Sequence, residues 1–94
     1  MMQMTTCLVA RDDVLSCEVG EDSAVLLDPT AGVYLGVDGP AALMWAMLAQ
    51  PVSVAALCDA VQRDFEVTPE RCEADVLAFV EDLRQRGLVS VVTA

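Results

Sequence analysis

Strand-like patterns occupy the first half of the chain. Residues 14–19 alternate between apolar and polar side chains, residues 23–27 are apolar almost throughout, and residues 33–37 alternate again. A period of two is typical of a half-buried strand, whereas an unbroken apolar run suits a central strand covered on both faces. Turn residues at 20–22 and 28–32 join the three segments. The pattern therefore predicts a three-stranded antiparallel meander.

A helical period replaces the strand period after Pro40, which suits a first helical turn because its missing N–H is not needed there. Residues 40–49 form the first predicted helix. Ser53 and Thr68 are N-cap residues for two more helices, and Gly87 can end the last one in the left-handed conformation. The apolar face of the second helix consists of Val54, Leu57, Cys58, Val61 and Phe65. The apolar stripe of the third helix, residues 69–86, consists of Cys72, Val76, Phe79 and Leu83.

The order of these elements predicts an α+β fold, with a meander of three strands followed by three helices. Residues 7–10 and 88–92 are further short strand candidates, and residues 1–6 are expected to form a flexible end. The two short helices can pack as a helix-turn-helix with the third helix across them, which gives a winged-helix-like arrangement. The length of 94 residues corresponds to a single domain spanning residues 1–94.

A formal charge of −10, from 15 acidic and 5 basic residues, changes the range of expected partners. All five basic residues are arginines, and nucleic-acid binding normally relies on a basic patch. The charge therefore argues against DNA or RNA, and it fits a basic or neutral partner. Solubility alone is an equally compatible explanation of the acidic surface.

Catalytic, metal and cofactor chemistry has little support in the sequence. The chain has no His and no Lys, and its four cysteines, Cys7, Cys17, Cys58 and Cys72, are not in Cys-x-x-Cys pairs. General acid–base catalysis and zinc sites usually need such groups, and no glycine-rich phosphate loop is present. We therefore expect a binding module without metal or cofactor, not an enzyme. No secretion signal or membrane span is found, which predicts a cytoplasmic protein with reduced thiols.

The strand at residues 33–37 contains neither a charge nor a proline, the usual protections of a sheet edge. An exposed edge can accept an extended peptide through main-chain hydrogen bonds, while alternate side chains of the peptide enter pockets. Gly36 would let another backbone approach closely. A homodimer that pairs through the same strand is an alternative use of this edge.

A series of short blocks resembles the PqqD family over residues 14–89, and their order and spacing carry the likeness. The matching residues are Leu26, Leu27, Asp28, Gly32, Val33, Tyr34, Val37, Asp38, Ala42 and Trp45, then 54–57 with Phe65, then 75–79 with Leu83, Gly87 and Leu88. The family usually has Leu-Asn where this chain has Val37 and Asp38. Asp caps a helix as Asn does, so the departure is mild.

The resemblance implies a recognition element for the leader of a ribosomally made, post-translationally modified peptide (RiPP). In such proteins the leader is added as a strand against the third strand, over the third helix. A free-standing copy resembles the proteins of lasso-peptide pathways, which deliver the precursor to a separate leader protease. PqqD itself, which presents a precursor to a radical-SAM enzyme, is the alternative. A winged-helix transcription regulator is the competing reading from another functional class.

The expected binding residues follow from this resemblance. Main-chain contacts are expected from Val33, Tyr34, Leu35 and Gly36, and wall contacts from Asp75, Val76, Phe79, Val80 and Leu83. Core packing is the competing role for Val76, Phe79 and Leu83, and a place on the sheet surface competes for Tyr34. Asp75 and Glu81 can also pair with basic leader residues at the rim of the groove.

Overall fold

The computed structural model describes residues 2–92 and gives an α+β fold with three helices and two three-stranded antiparallel sheets. In chain order the elements are β1 (Cys7–Ala10), β2 (Leu15–Glu18), β3 (Ser23–Asp28), β4 (Val33–Asp38), α1 (Pro40–Met47), β5 (Val52–Ser53), α2 (Val54–Asp64), α3 (Pro69–Gln85) and β6 (Val89–Val92).

The predicted meander is confirmed as the sheet β2-β3-β4, with β3 in the centre. Leu26 of β3 pairs with Leu35 of β4 and is only 1% exposed, so this strand anchors the sheet to the core. Gly32 closes the hairpin between β3 and β4 at a φ of 68°, where a side chain would be strained. The local sequence therefore sets both the pairing and the turn.

A second sheet, ordered β5-β1-β6, joins the two ends of the chain. The predicted order of three strands followed by three helices is therefore incomplete, because it omits this sheet. Cys7 of β1 lies opposite Ser53 of β5 on one side and Val92 of β6 on the other. The short strands predicted at 7–10 and 88–92 are thus present, whereas β5 was missed because its two residues carry no periodic signal. Met1, Thr93 and Ala94 lie outside the described residues.

Residues 2–6, expected to be a flexible end, are tied to the start of α2 by main-chain hydrogen bonds. The N–H groups of Val54 and Ala55 donate to the carbonyl oxygens of Thr6 and Met4, at 2.9 Å each. These bonds satisfy donors that the first turn of a helix leaves without intrahelical partners.

Side-chain caps begin α2 and α3, as the sequence predicts. Ser53 Oγ accepts from the N–H of Ala56 at 3.0 Å, and Thr68 Oγ1 accepts from the N–H of Arg71 at 3.3 Å. Gly87 follows α3 with a φ of 74°, the left-handed conformation expected for a helix end.

The buried stripe of α3 differs by one position from the predicted one. Its members are Cys72, Val76, Val80 and Leu83, whereas Phe79 is only half-buried. Phe79 lies on one flank of this stripe, and packing against α2 and β6 buries Val80 instead.

Candidate functional site

The meander sheet has two edge strands among the described residues, β2 and β4, and β4 is the one that the sequence predicts as the binding edge. Within residues 2–92, β4 pairs with β3 on one side and with no strand on its other side. The sequence hypothesis required such an edge, because a strand flanked on both sides has no main-chain groups left for a guest. The predicted edge strand therefore has the placement that peptide addition needs.

Alternation along β4 decides which main-chain groups point outward. The N–H of Gly39 donates to the carbonyl oxygen of Asp22 on the β3 side at 2.8 Å. Directions alternate along an antiparallel strand, so Val33, Leu35 and Val37 also face β3, and Tyr34 and Gly36 direct their N–H and C=O outward. The free edge is thus presented by Tyr34 and Gly36.

The pairing of β3 with β2 supports this assignment. The N–H of Val19 donates to the carbonyl oxygen of Ser23 at 3.0 Å, which assigns Ser23, Val25 and Leu27 to β2. The remaining β3 residues, including Leu26, then face β4, as a central strand requires.

A cavity of about 200 Å³ lies beside the open edge. Its lining consists of Leu26, Asp28, Ala31, Val33, Leu35, Arg86 and Leu88. Val33 and Leu35 send their side chains to this cavity, while Tyr34 and Gly36 between them present the outward main-chain groups. A guest strand on the edge would therefore lie next to an apolar pocket.

Asp28, which lines this cavity, forms an ion pair with Arg11. Arg11 Nη2 donates to Asp28 Oδ1 at 2.5 Å, and Arg11 Nη1 donates to the carbonyl oxygen of Gly87 at 2.9 Å. The backbone N–H groups of Thr30 and Ala31 also donate to Asp28 Oδ1. One carboxylate thus joins the β3–β4 turn to Arg11, which also holds the end of α3.

The environment of Asp28 stabilises its ionised form. The hydrogen bond from Arg11 lowers the pKa of Asp28; burial opposes this effect, and the amide donors of Ala31 and Thr30 add to the lowering. Asp28 is 7% exposed, so its charge is held by these partners instead of by water.

One side of α3 faces the same region. Arg86 lines the cavity, and Phe79 and Asp75 lie seven and eleven residues before it, about two and three helical turns away. All three therefore share one side of the helix. The exposed Asp75 accepts from Arg71 Nε at 3.3 Å, and Arg86 Nε donates to Asp82 at 3.0 Å.

The residues predicted from the sequence occupy three places. Val33, Tyr34, Leu35 and Gly36 form the edge, and Asp75 and Phe79 lie on the side of α3 that Arg86 shares. The other three predicted wall residues, Val76, Val80 and Leu83, are at most 1% exposed and belong to the core behind that side. Sequence reasoning missed Leu26, Asp28, Ala31, Arg86 and Leu88 as lining residues. Only Asp28 had a local signal, since it opens a turn before Pro29.

The described residues contain no group of three or more His, Cys, Asp or Glu side chains that could hold a metal ion. Burial raises the pKa of the Cys58 thiol to about 11, so this group is protonated at neutral pH. Within residues 2–92, no helix is both long and apolar enough to cross a membrane.

Comparisons with known proteins agree with this geometry. The sequence model of the family described as coenzyme PQQ synthesis protein D (PqqD) matches residues 23–89. A solved structure described as "TbiB1 in Complex with the TbiA(beta) Leader Peptide" is similar, with a TM-score of 0.80, 24% identity, and coverage of 92% of this chain and 99% of the other. A second, "Lasso peptide synthetase B1 complexed with the leader peptide", has a TM-score of 0.75, 25% identity, and coverage of 88% and 96%. None of the curated proteins compared with the chain matches it.

An open strand edge beside an apolar cavity is the kind of surface that peptide-binding domains use for strand addition. The chain belongs to the PqqD family, because the family model covers well over half of it. The resemblance seen in the sequence is therefore confirmed, and the chain is a PqqD-like RiPP recognition element.

Proposed function

We propose that this protein binds the leader segment of a ribosomally made precursor peptide by adding it as a strand to β4. The open edge at Tyr34 and Gly36, directly beside the cavity of about 200 Å³, is the observation that carries the proposal. Membership of the PqqD family and the likeness to two structures that hold leader peptides support it.

The leader is bound by two kinds of contact, one to its main chain and one to its side chains. Main-chain groups of Tyr34 and Gly36 bond to the leader backbone, and apolar leader side chains enter the cavity beside Val33 and Leu35. Phe79 and Asp75 form the helical wall. Val76, Val80 and Leu83 keep α3 in position from within the core, because their burial leaves no surface for direct contact.

We further propose that the bound precursor is delivered to a separate processing enzyme. The likeness to lasso-peptide synthetase B1 favours a leader protease, and a radical-SAM enzyme is the alternative that the PqqD description supports. The proposal includes a single domain over residues 1–94, a winged-helix-like arrangement of α1–α3 with the meander, and action in the cytoplasm.

Titration with the cognate leader peptide tests the binding function. We expect amide resonances of residues 32–37 and 72–84 to shift, because these segments contain the edge and the helical wall. Resonances of β1 and β6 serve as the internal control, since the other sheet does not contact the edge. Unmoved amides in 32–37 at saturating leader would overturn the proposal.

Tyr34→Pro tests the strand-addition mode itself. The substitution removes an N–H that points away from β3, so the sheet should persist while the leader loses one hydrogen bond and meets the proline ring. We expect leader affinity to fall about tenfold or more, since about 1.4 kcal/mol corresponds to tenfold. Fluorescence anisotropy with a labelled leader measures the change.

Ser16→Pro is the matched control, because Ser16 directs its N–H outward from the opposite edge of the same sheet. This variant should keep the affinity of the unmodified protein. Equal losses in both variants would mean that proline disturbs the sheet in general, and unchanged binding by Tyr34→Pro would exclude pairing at β4.

A further inference from the structure

The meander sheet has an apolar outer face. Leu15, Leu27 and Tyr34 lie opposite one another in register, as do Cys17, Val25 and Gly36, so all six positions are on one side of the sheet. Ser16 and Glu18 alternate to the other side, where they line a cleft against α1. The first side is therefore the outer one.

This outer face is exposed although its six central positions carry no charge. Leu15 is 58% exposed, Tyr34 is 70% exposed, and Val19, which continues the alternation of β2, is 60% exposed. Cys17 is also exposed, and Val25 and Leu27 are only half-buried. A continuous apolar sheet surface of this kind is typical of an interaction site, since monomers rarely leave such patches uncovered.

Carboxylates border the outer face. Asp38 lies on this side of the sheet, opposite Ser23, and Glu21 and Asp22 are exposed in the turn beside it and also line the cleft on the other side. Asp12 and Asp13 are exposed before the start of β2, where Asp12 lines the same cleft and Asp13 pairs with Arg11. Each of the five arginines already forms an ion pair within the chain, so the excess negative charge is not balanced locally. The complementary surface is apolar at its centre and rich in Lys and Arg at its border.

We propose that this outer sheet face docks the leader-processing enzyme, through an apolar enzyme patch bordered by basic residues. The inference rests on the proposed function and extends it to the delivery step. Tyr34 and Gly36 belong both to this face and to the open edge, so a leader strand added to β4 widens the same surface by one strand. The enzyme therefore contacts this protein and its bound leader together.

Charge argues against a second copy of this chain as the occupant. Two copies, each with a formal charge of −10, would bring acidic borders together across an uncharged patch. A basic partner replaces that repulsion by attraction. The same attraction predicts that docking weakens as the salt concentration rises.

Val19→Glu and Leu15→Glu place a carboxylate in the outer face and test the proposal. The probe is the purified processing enzyme encoded beside the gene of this protein. The enzyme is immobilised, and its binding of this protein is measured in the absence of leader. We expect each variant to bind the enzyme at least tenfold more weakly. Val91→Glu is the matched control, because Val91 is a 45% exposed valine of the other sheet, and it should bind as the unmodified protein does.

Leader affinity is measured in parallel and should stay within about twofold in all three variants, because none of them alters the open edge or the cavity. If the unmodified protein fails to bind leader, the proposed function fails, and the enzyme measurement still reports on the outer face by itself. Equal enzyme binding by Val19→Glu and the unmodified protein, or no binding by either, would overturn the docking surface. So would sedimentation that shows a dimer which Val19→Glu converts to a monomer.

Discussion

Arg11 holds three separate segments together through one side chain. Its guanidinium donates to Asp13, to Asp28 and to the carbonyl oxygen of Gly87. These partners lie before β2, at the end of β3 and after α3, so the contacts join Asp28, which lines the cavity, to Gly87, which stands between the lining residues Arg86 and Leu88. The pKa of Arg11 is raised by the hydrogen bonds from its guanidinium to Asp13 and Asp28, which keeps the charge in place at any physiological pH.

Asp28→Asn tests this cluster through the pH dependence of stability. The folded-state pKa of Asp28 is lowered, so its contribution is present above the unfolded pKa of about 3.9 and is lost as pH falls through the folded value. We expect Asp28→Asn to unfold at a lower temperature than the unmodified protein at pH 7, and the difference to shrink below about pH 4.

Thermal unfolding followed by circular dichroism at several pH values measures this effect. Asp12→Asn is the control, because Asp12 is exposed and forms no ion pair among residues 2–92. A constant difference between Asp28→Asn and the unmodified protein from pH 7 to pH 3 would contradict the assigned ionisation.

Residues whose role is local were predictable from the sequence, and those joined over long distances were not. The left-handed glycines at 32 and 87 and the caps Ser53 and Thr68 depend only on their neighbours. Arg11 and its partners Asp28 and Gly87 are 17 and 76 residues apart along the chain. Nothing in the local pattern links them, because the fold alone brings them together.

At the level of elements, α3 presents different sides to different neighbours. Its central stripe is sealed in the core, whereas Phe79 and Leu77 lie on opposite flanks of that stripe and are both half-buried. Phe79 shares its flank with Arg86, which lines the cavity. The two side chains are therefore alike in burial and differ in which neighbour they face.

Phe79→Ala and Leu77→Ala separate binding from stability. Both variants should lose stability to a similar extent, because each truncates a half-buried apolar side chain that packs against the core. Only Phe79→Ala should weaken leader binding, by about tenfold, as expected for truncation of an interface aromatic. Isothermal titration with the leader measures affinity, and chemical denaturation measures stability.

Equal leader affinity in the two variants would remove Phe79 from the proposed wall. A loss in Leu77→Ala alone would place the wall on the other flank of α3. Either result can be interpreted even if both variants are less stable, because the two substitutions are expected to destabilise the core to a similar extent.

Elements with a strong period were predicted well, and the second sheet was not. The meander and the three helices follow from repeats of two and of about 3.6 residues, which sequence alone displays. Strand β5 has two residues, and its partner β1 pairs across most of the chain with β6. The buried face of α3 was also not predicted correctly, since Phe79 and Val80 are both apolar and only packing decides which of them is buried.

Considered as a whole, the molecule is a strongly acidic one. The formal charge of −10 follows from the amino-acid composition alone, whatever the fold. Every arginine is engaged in an ion pair, so residues 2–92 present no unpaired basic side chain to a phosphate backbone.

Duplex DNA is therefore not expected to bind, although the sequence left a winged-helix regulator as an alternative hypothesis. A gel-shift assay at low salt, where such binding is strongest, should show no retarded band at micromolar protein. A basic winged-helix protein in the same assay is the positive control. A retarded band that disappears with added salt would revive the regulator hypothesis.

The brevity of the open edge limits what main-chain pairing can accomplish. Tyr34, Gly36 and Asp38 are the β4 residues that point outward, with one N–H and one C=O each. At about 1 kcal/mol per bond, these bonds at best offset the lower part of the roughly 4–15 kcal/mol lost when two molecules associate. A peptide of arbitrary sequence would settle on the strand and leave again. In the proposed binding mode, retention then depends on leader side chains that fill the neighbouring cavity, so the leader's sequence and not its backbone decides whether it stays bound.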